Sequence, residues 1–180
     1  MVFGLFGGLT AAAVWLCARV LLEPRLLAYV AALGLAASPV FWSQALIAEV
    51  YTLNTFFVFS LVYLGLVRGP LPATAVAFGL SLSNHWPLML LVAPGLAVLL
   101  WPRREEFLRR LPALAMLFSA GLLPYAWMIL LSWSPRVISF NGPIETLAEL
   151  LHFISRAGYS EVDSSPLKTT DLPIHAVTRR

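Results

Sequence analysis

The sequence predicts an all-α protein that crosses a membrane several times, and three observations carry that prediction. Hydrophobic residues fill 59% of the 180 positions and charged residues only 12%, about half the charged share of an ordinary soluble domain. Apolar runs of span-like length recur along most of the chain. These runs lack the alternation of barrel strands, and backbone groups in lipid must bond internally, so the spans are helices.

Six apolar segments follow in order. The first covers about 2–22 and the second about 26–41, joined by the tight "EPR" turn. The third runs over about 53–67 and ends at "RGP"; the fourth, about 71–83, is interrupted by "SNHWP". The fifth covers about 87–101 and the sixth about 111–133. Together they make about six transmembrane or half-span helices, several shorter than the ~20 residues of a full crossing. Short helices flanking a broken polar element are common where a membrane protein builds a site. The opening stretch has no basic region before its apolar run, so no cleaved signal peptide is expected.

Arginine placement sets the expected orientation. "PRREEFLRR" carries Arg103, Arg104, Arg109 and Arg110 and should be cytoplasmic. Alternation from there puts Arg68, Arg25 and Arg19 on the same side. The polar stretches "WSQALIAEVY" and "SNHW" and the C-terminal tail then share the other, extracytoplasmic face. The expected organisation is a transmembrane region over 1–134, an extracytoplasmic amphipathic helix within 135–159 and a disordered tail over 160–180. In the amphipathic segment Pro143 suits the first helical position, Glu145 the positive N-terminal end and Gly158 the stop. Ile144, Leu147, Leu151 and Ile154 make its apolar stripe.

Composition also excludes some functions. The net charge of +3 sits at the ends of apolar runs or in the tail, with no basic stripe, which argues against nucleic acid as a partner. Cys17 stands alone, so cysteine builds neither a disulfide nor a metal centre. His85 and His152 with a carboxylate have no metal-ligand spacing, so no metal is expected. No other cofactor is implied. Gly4 and Gly8 form a small-xxx-small pair of the kind used in ordinary helix packing, and Phe56, Phe57 and Phe59 read as packed or lipid-facing.

A few polar residues could carry chemistry. Glu49 is the only acidic residue between Glu23 and Glu105, and a carboxylate within a membrane costs about 2.5 kcal/mol or more. Pro39 should end or kink the second span. A helix restarting there places Trp42, Glu49 and Thr52 on one face, and Gln44 and Tyr51 on another. The plainer reading is an interfacial helix end with Trp42 and Tyr51 as headgroup anchors and a solvated Glu49. The functional reading makes Glu49 a proton acceptor in an outward-facing cavity. Pro87 should break the chain near Asn84 and His85. There His85 is either a helix cap or a second polar group facing that cavity. Arg156 with Tyr159 could meet a phosphate, and a solvated Arg is the plainer alternative.

Three strings in order, "FWSQALIAEVYTLN", "GLSLSNHWPLMLLVAPGL" and "LLHFISRAGYSE", resemble a bacterial family of multi-span membrane proteins. That family is similar to the eukaryotic transmembrane protein O-mannosyltransferases, within the GT-C glycosyltransferase superfamily. The resemblance implies an integral protein of a bacterial plasma membrane with its C-terminal tail outside. Its partners would be the bilayer, a polyprenyl-phosphate-linked sugar donor and a protein or glycan acceptor. Carried over by position, Glu49 and His85 take the catalytic places; Trp42, Gln44, Tyr51, Asn54, Asn84, Arg156 and Tyr159 line the substrate cavity. Such enzymes also resemble one another in a first span followed by an Asp-bearing outer loop. Here Asp163 and Asp171, both in the tail, are the only Asp residues, and the opening segment corresponds to the second span. The expectation is therefore a fragment of a membrane glycosyltransferase. From composition and spacing alone a transporter-like protein or a non-catalytic membrane component stays open.

Overall fold

A computed structural model describes residues 2–46, 50–134 and 144–155. All of its regular elements among these residues are helical. The chain divides into two compact units, Met1–Trp127 and Met128–Arg180.

In the first unit α1 (Val2–Leu21) is one long apolar helix. It packs on α2 (Arg25–Ala36), where Trp15 lies 5.5 Å from Tyr29, and Arg19 stacks on Trp15. Then α3 (Pro39–Leu46) turns away from α2 by 61°. The bend has a local cause. Ser38 Oγ accepts the Phe41 N–H at 3.4 Å, and Pro39 takes the first helical position, where its missing N–H costs nothing. Gly7 of α1 lets Phe41 and Ala45 of α3 approach closely. Among the described residues nothing lies against Gly4 or Gly8, and Gly7 makes the close helix contact instead.

α4 (Val50–Leu66) starts earlier than the apolar run at 53 suggests, taking Tyr51, Thr52 and Asn54 into its first turns. The Thr55 hydroxyl bonds back to Tyr51 O at 2.8 Å, as hydroxyls within helices do. One face of α4 meets α1: Thr10 Oγ1 donates to Thr52 O at 3.1 Å, and Cys17 Sγ lies 3.1 Å from Phe59 O. The next face meets α5 through Asn54, Val58, Leu61 and Gly65, at helical spacings of four, three and four. Leu61 is packed against Met89 and Leu96, and Gly65 against Leu99. α4 ends with Gly69 N–H on Leu64 O and Arg68 N–H on Gly65 O, with Arg68 itself left-handed at φ 52°. This is the Schellman stop, with arginine where glycine is usual.

α5 (Leu71–Leu100) is a hairpin. A straight helix of this length would hold its ends roughly 43 Å apart. Instead, Leu71 and Leu100 line one cavity, and Arg103 just beyond donates to Gly69 O just before. The fold-back lies at His85, whose φ −155° and ψ 79° are not helical. The arms, 71–84 and 86–100, match the fourth and fifth segments read from sequence. After a 3-10 turn at Trp101–Arg103 come the short α6 (Arg104–Arg109), then α7 (Leu111–Gly121) and α8 (Leu123–Ser132), which continue one apolar stretch. α7 runs parallel to the first arm of α5 and crosses it at Gly79 and Gly121. A Cβ on Gly79 would sit 2.2 Å from Phe118 O, and one on Gly121 would sit 2.6 Å from Val76 O.

These contacts fix which ends lie together. Arg19, Arg25, Arg68 and the turn carrying Arg103 to Arg110 share one end of the unit. Tyr51 and His85 mark the other.

The second unit is described over 128–134 and 144–155. Trp133 Nε1–H donates to Ile144 O at 2.8 Å, and Ile144 N–H donates to Ser132 Oγ at 3.0 Å. Within the described part of the amphipathic segment lies α9 (Leu147–Ser155). It starts at a capping box. Thr146 Oγ1 accepts Glu149 N–H at 3.2 Å, while Glu149 accepts the Thr146 N–H at 3.1 Å and the Glu145 N–H at 2.8 Å. Those bonds hold the Glu149 carboxyl below its ordinary range, the Glu145 amide contributing most. Ile144 therefore precedes the helix and is buried, rather than heading its stripe, and Pro143 falls outside the described residues. Leu147 and Leu151 remain exposed.

Candidate functional site

The end opposite the arginines gathers the polar residues. Each arm of the α5 hairpin is 14 or 15 residues long, reaching about 21 Å against a hydrocarbon core of about 30 Å. By length the tip falls short of a full crossing. At such a depth an irregular backbone must be satisfied by protein or by a polar cavity. Breaking the helix at His85 releases the carbonyls of the preceding turn. Leu82 O accepts from the Tyr125 hydroxyl at 2.9 Å, and Ser83 Oγ donates to Gly121 O at 3.1 Å. On the far side of the break, His85 Nδ1 accepts Leu88 N–H at 3.4 Å. His85 is thus the cap of the second arm. With Nδ1 accepting, the neutral ring carries its proton on Nε2 and presents a donor there.

Tyr51 brings α4 to this tip, its ring 6.1 Å from that of His85. One turn along, Asn54 is 1% exposed, and among the described residues neither its amide oxygen nor its amide nitrogen has a hydrogen-bond partner. Thr52 Oγ1 is likewise buried without one among them. Native interiors leave few such atoms, and each costs about 1–3 kcal/mol, so a cluster of three needs an explanation. Thr10, fully buried on α1, closes the cluster from the other side through its bond to Thr52 O.

The structure therefore brings Tyr51, Asn54 and His85 to one end, with Asn84 half-buried beside His85. Trp42 and Gln44 lie on α3; Trp42 is exposed and Gln44 half-buried. Glu49, Arg156 and Tyr159 lie outside the described residues. Two contributors escaped the sequence reading. Tyr125 shows no signal before the hairpin exists, because its role is to satisfy a carbonyl freed 43 residues earlier. Thr10 looks like an ordinary hydroxyl in an apolar helix until its face meets Thr52. Among the described residues no cluster of three metal-ligating side chains forms.

The fold and these residues define a polytopic helical membrane protein with several polar side chains gathered at one end of its first unit. Residues 4–109 match the family described as the Protein O-mannosyl-transferase TMEM260 N-terminal domain. That is more than half of the chain, and the chain belongs to this family of membrane glycosyltransferase-like proteins. The match spans α1 to α6, and so includes Tyr51, Asn54, Asn84 and His85. No curated protein and no solved structure matches the chain.

Proposed function

We propose that this chain forms part of a GT-C-type glycosyltransferase of a bacterial plasma membrane. On this reading it takes a sugar from a polyprenyl-phosphate carrier at the extracytoplasmic face and passes it to a protein or glycan hydroxyl. The observation that carries the reading is the convergence of Tyr51, Asn54 and His85 at the end of the first unit opposite Arg19, Arg25, Arg68 and Arg103, in a chain of an O-mannosyltransferase family.

In the reaction, the acceptor oxygen bonds to the anomeric carbon while the bond from that carbon to the carrier's phosphate oxygen breaks. Glu49 takes the acceptor's proton, and the polyprenyl phosphate leaves. His85 acts as a donor rather than a base, since its Nδ1 holds the Leu88 amide. Its Nε2–H stabilises the charge gathering on the departing phosphate. The Tyr51 hydroxyl and the Asn54 amide bind sugar hydroxyls, which would supply the partners that the Asn54 amide lacks. Trp42, Gln44 and Asn84 line the cavity, and Arg156 with Tyr159 meets the phosphate from outside. Residues 135–159 form the extracytoplasmic element of this arrangement, and 160–180 a tail on the same side.

The test uses the complete gene product in vesicles supplied with a polyprenyl-phosphate sugar. Glu49→Ala should lower transfer by about 10²- to 10⁴-fold, as loss of a general base does. His85→Ala should lower it by about 10²-fold or more. Unchanged transfer in both variants removes these residues from the mechanism.

A further inference from the structure

A groove at the arginine-rich end of the first unit stands apart from the polar site. It has a volume of about 350 Å³ and lies between the two arms of α5, α6 and α7. That volume falls within the roughly 300–1,000 Å³ of small-molecule pockets. Leu71, Ala97, Phe107 and Leu114 are among its walls, and its one polar wall residue, Thr74, already bonds Pro70 O at 3.3 Å. A water molecule needs two to four polar partners, which these walls do not offer. The natural filling is a hydrocarbon chain.

The mouth supplies the other half of the argument. Phe107 lines the groove, and Arg104 and Arg110 stand three residues before and after it on α6 and its C-terminal end, a spacing that puts them on the same side of the helix as Phe107. Arg104 stacks on Trp101 and forms no ion pair among the described residues. The single carboxylate of Glu106 is shared between Arg103 at 2.8 Å and Arg110 at 3.6 Å, which leaves the turn in positive excess. Arg103 is committed to Gly69 O and Glu106, so Arg104 and Arg110 are the guanidiniums placed to receive an anion.

We propose that this groove holds one acyl chain of an anionic phospholipid from the adjacent leaflet, its phosphate held by Arg104 and Arg110. Arginine at the mouth of an apolar interhelical groove suits such a headgroup by charge and by paired donors. The lipid would brace the α5 hairpin against α7 from the end opposite the polar site. This inference does not depend on the sugar-transfer reading.

Native mass spectrometry of the detergent-purified full chain tests it, with phosphatidylglycerol and phosphatidylcholine of identical acyl chains added in equal amounts. Phosphatidylglycerol should be retained preferentially. Arg104→Gln and Arg110→Gln should each weaken that preference about fivefold, and Ala97→Phe, which fills the groove, should reduce both adducts. Equal retention of the two lipids overturns the proposal. So does an anionic preference that survives the double arginine variant, and neither outcome depends on how Ala97→Phe folds. A dimer that dissociates when Ala97 is enlarged would assign the groove to a second copy of the chain and overturn it too.

Discussion

At Asn54 a buried amide has neither of its polar atoms satisfied, in a position where leucine would fit the apolar stripe of α4. Asn54→Leu removes two unpartnered atoms and should raise the melting temperature in detergent, by the equivalent of about 2 kcal/mol. On the proposed function it should also lower sugar transfer. A fall in melting temperature would show that the amide is already partnered. His85 separates structure from chemistry in another way. Asparagine is a good helix cap, so His85→Asn should keep the Leu88 amide satisfied and leave the melting temperature nearly unchanged. Transfer should still be lost with the imidazole. If transfer survives in His85→Asn, His85 is a cap and nothing more. The break at His85 was legible from Pro87, two residues on. The cap itself was one of two readings that the sequence left open.

Among the elements, the crossing of α5 and α7 tolerates the least. Gly79 and Gly121 bring two backbones into contact, and the atoms a side chain would meet are main-chain atoms that cannot rotate away. Gly121→Val should lower stability by about 3 kcal/mol or more, as overpacking at a rigid contact does, and should release Ser83 and Tyr125 from their bonds. A melting temperature within a degree of the original would refute this contact. In α9, Thr146→Ala should cost about 1 kcal/mol of helix stability. The Glu149 side of that box is pH-dependent. Its carboxyl is held below the ordinary 4.5 by the Glu145 and Thr146 amides, so its contribution is full above that value and is lost as pH falls through the lowered one. The protection of the α9 amides, taken relative to their intrinsic exchange rates at each pH, should be level from neutral pH to about 5 and fall only in more acidic solution. The box itself could have been read from "TLAE"; Pro143, three residues earlier, drew the helix start instead.

At the scale of the first unit, one arrangement underlies the proposed function: its described arginines gather at one end, and Tyr51, Asn54 and His85 at the other. In a Cys17→Ala background, cysteines placed at Tyr51 and Asn84 should react with an impermeant reagent from one compartment. A cysteine at Arg104 should react from the opposite one. Labelling of all three from the same side would contradict the bundle, and labelling of Tyr51 from the cytoplasm would contradict the proposed orientation. Arg103 has a part in this arrangement beyond its charge, because it ties the turn before α5 to the turn after it. Neighbouring Arg103 is the main cause of the lowered Glu106 carboxyl, so the ion-pair side of this clasp is present above the ordinary carboxylate value and is lost as pH falls through the lowered one.

By itself the sequence determined the helical membrane class, the six apolar segments and the gathering of Arg19, Arg25, Arg68 and Arg103 at one end of the first unit. Hydrocarbon permits few alternatives for such runs, and charge is costly anywhere but at their ends. It also marked the breaks at Ser38–Pro39 and ahead of Pro87, since proline's missing amide acts locally. Tertiary structure decided the rest. Only folding back at His85 shows that the arms of α5 lie side by side, that Tyr125 satisfies a freed carbonyl and that Asn54 is buried without a partner. Those facts depend on which helix faces meet, and in a chain apolar on nearly every face the hydrophobic pattern does not specify the partner. Close backbone approach at small residues and a few hydrogen bonds between helices specify it instead.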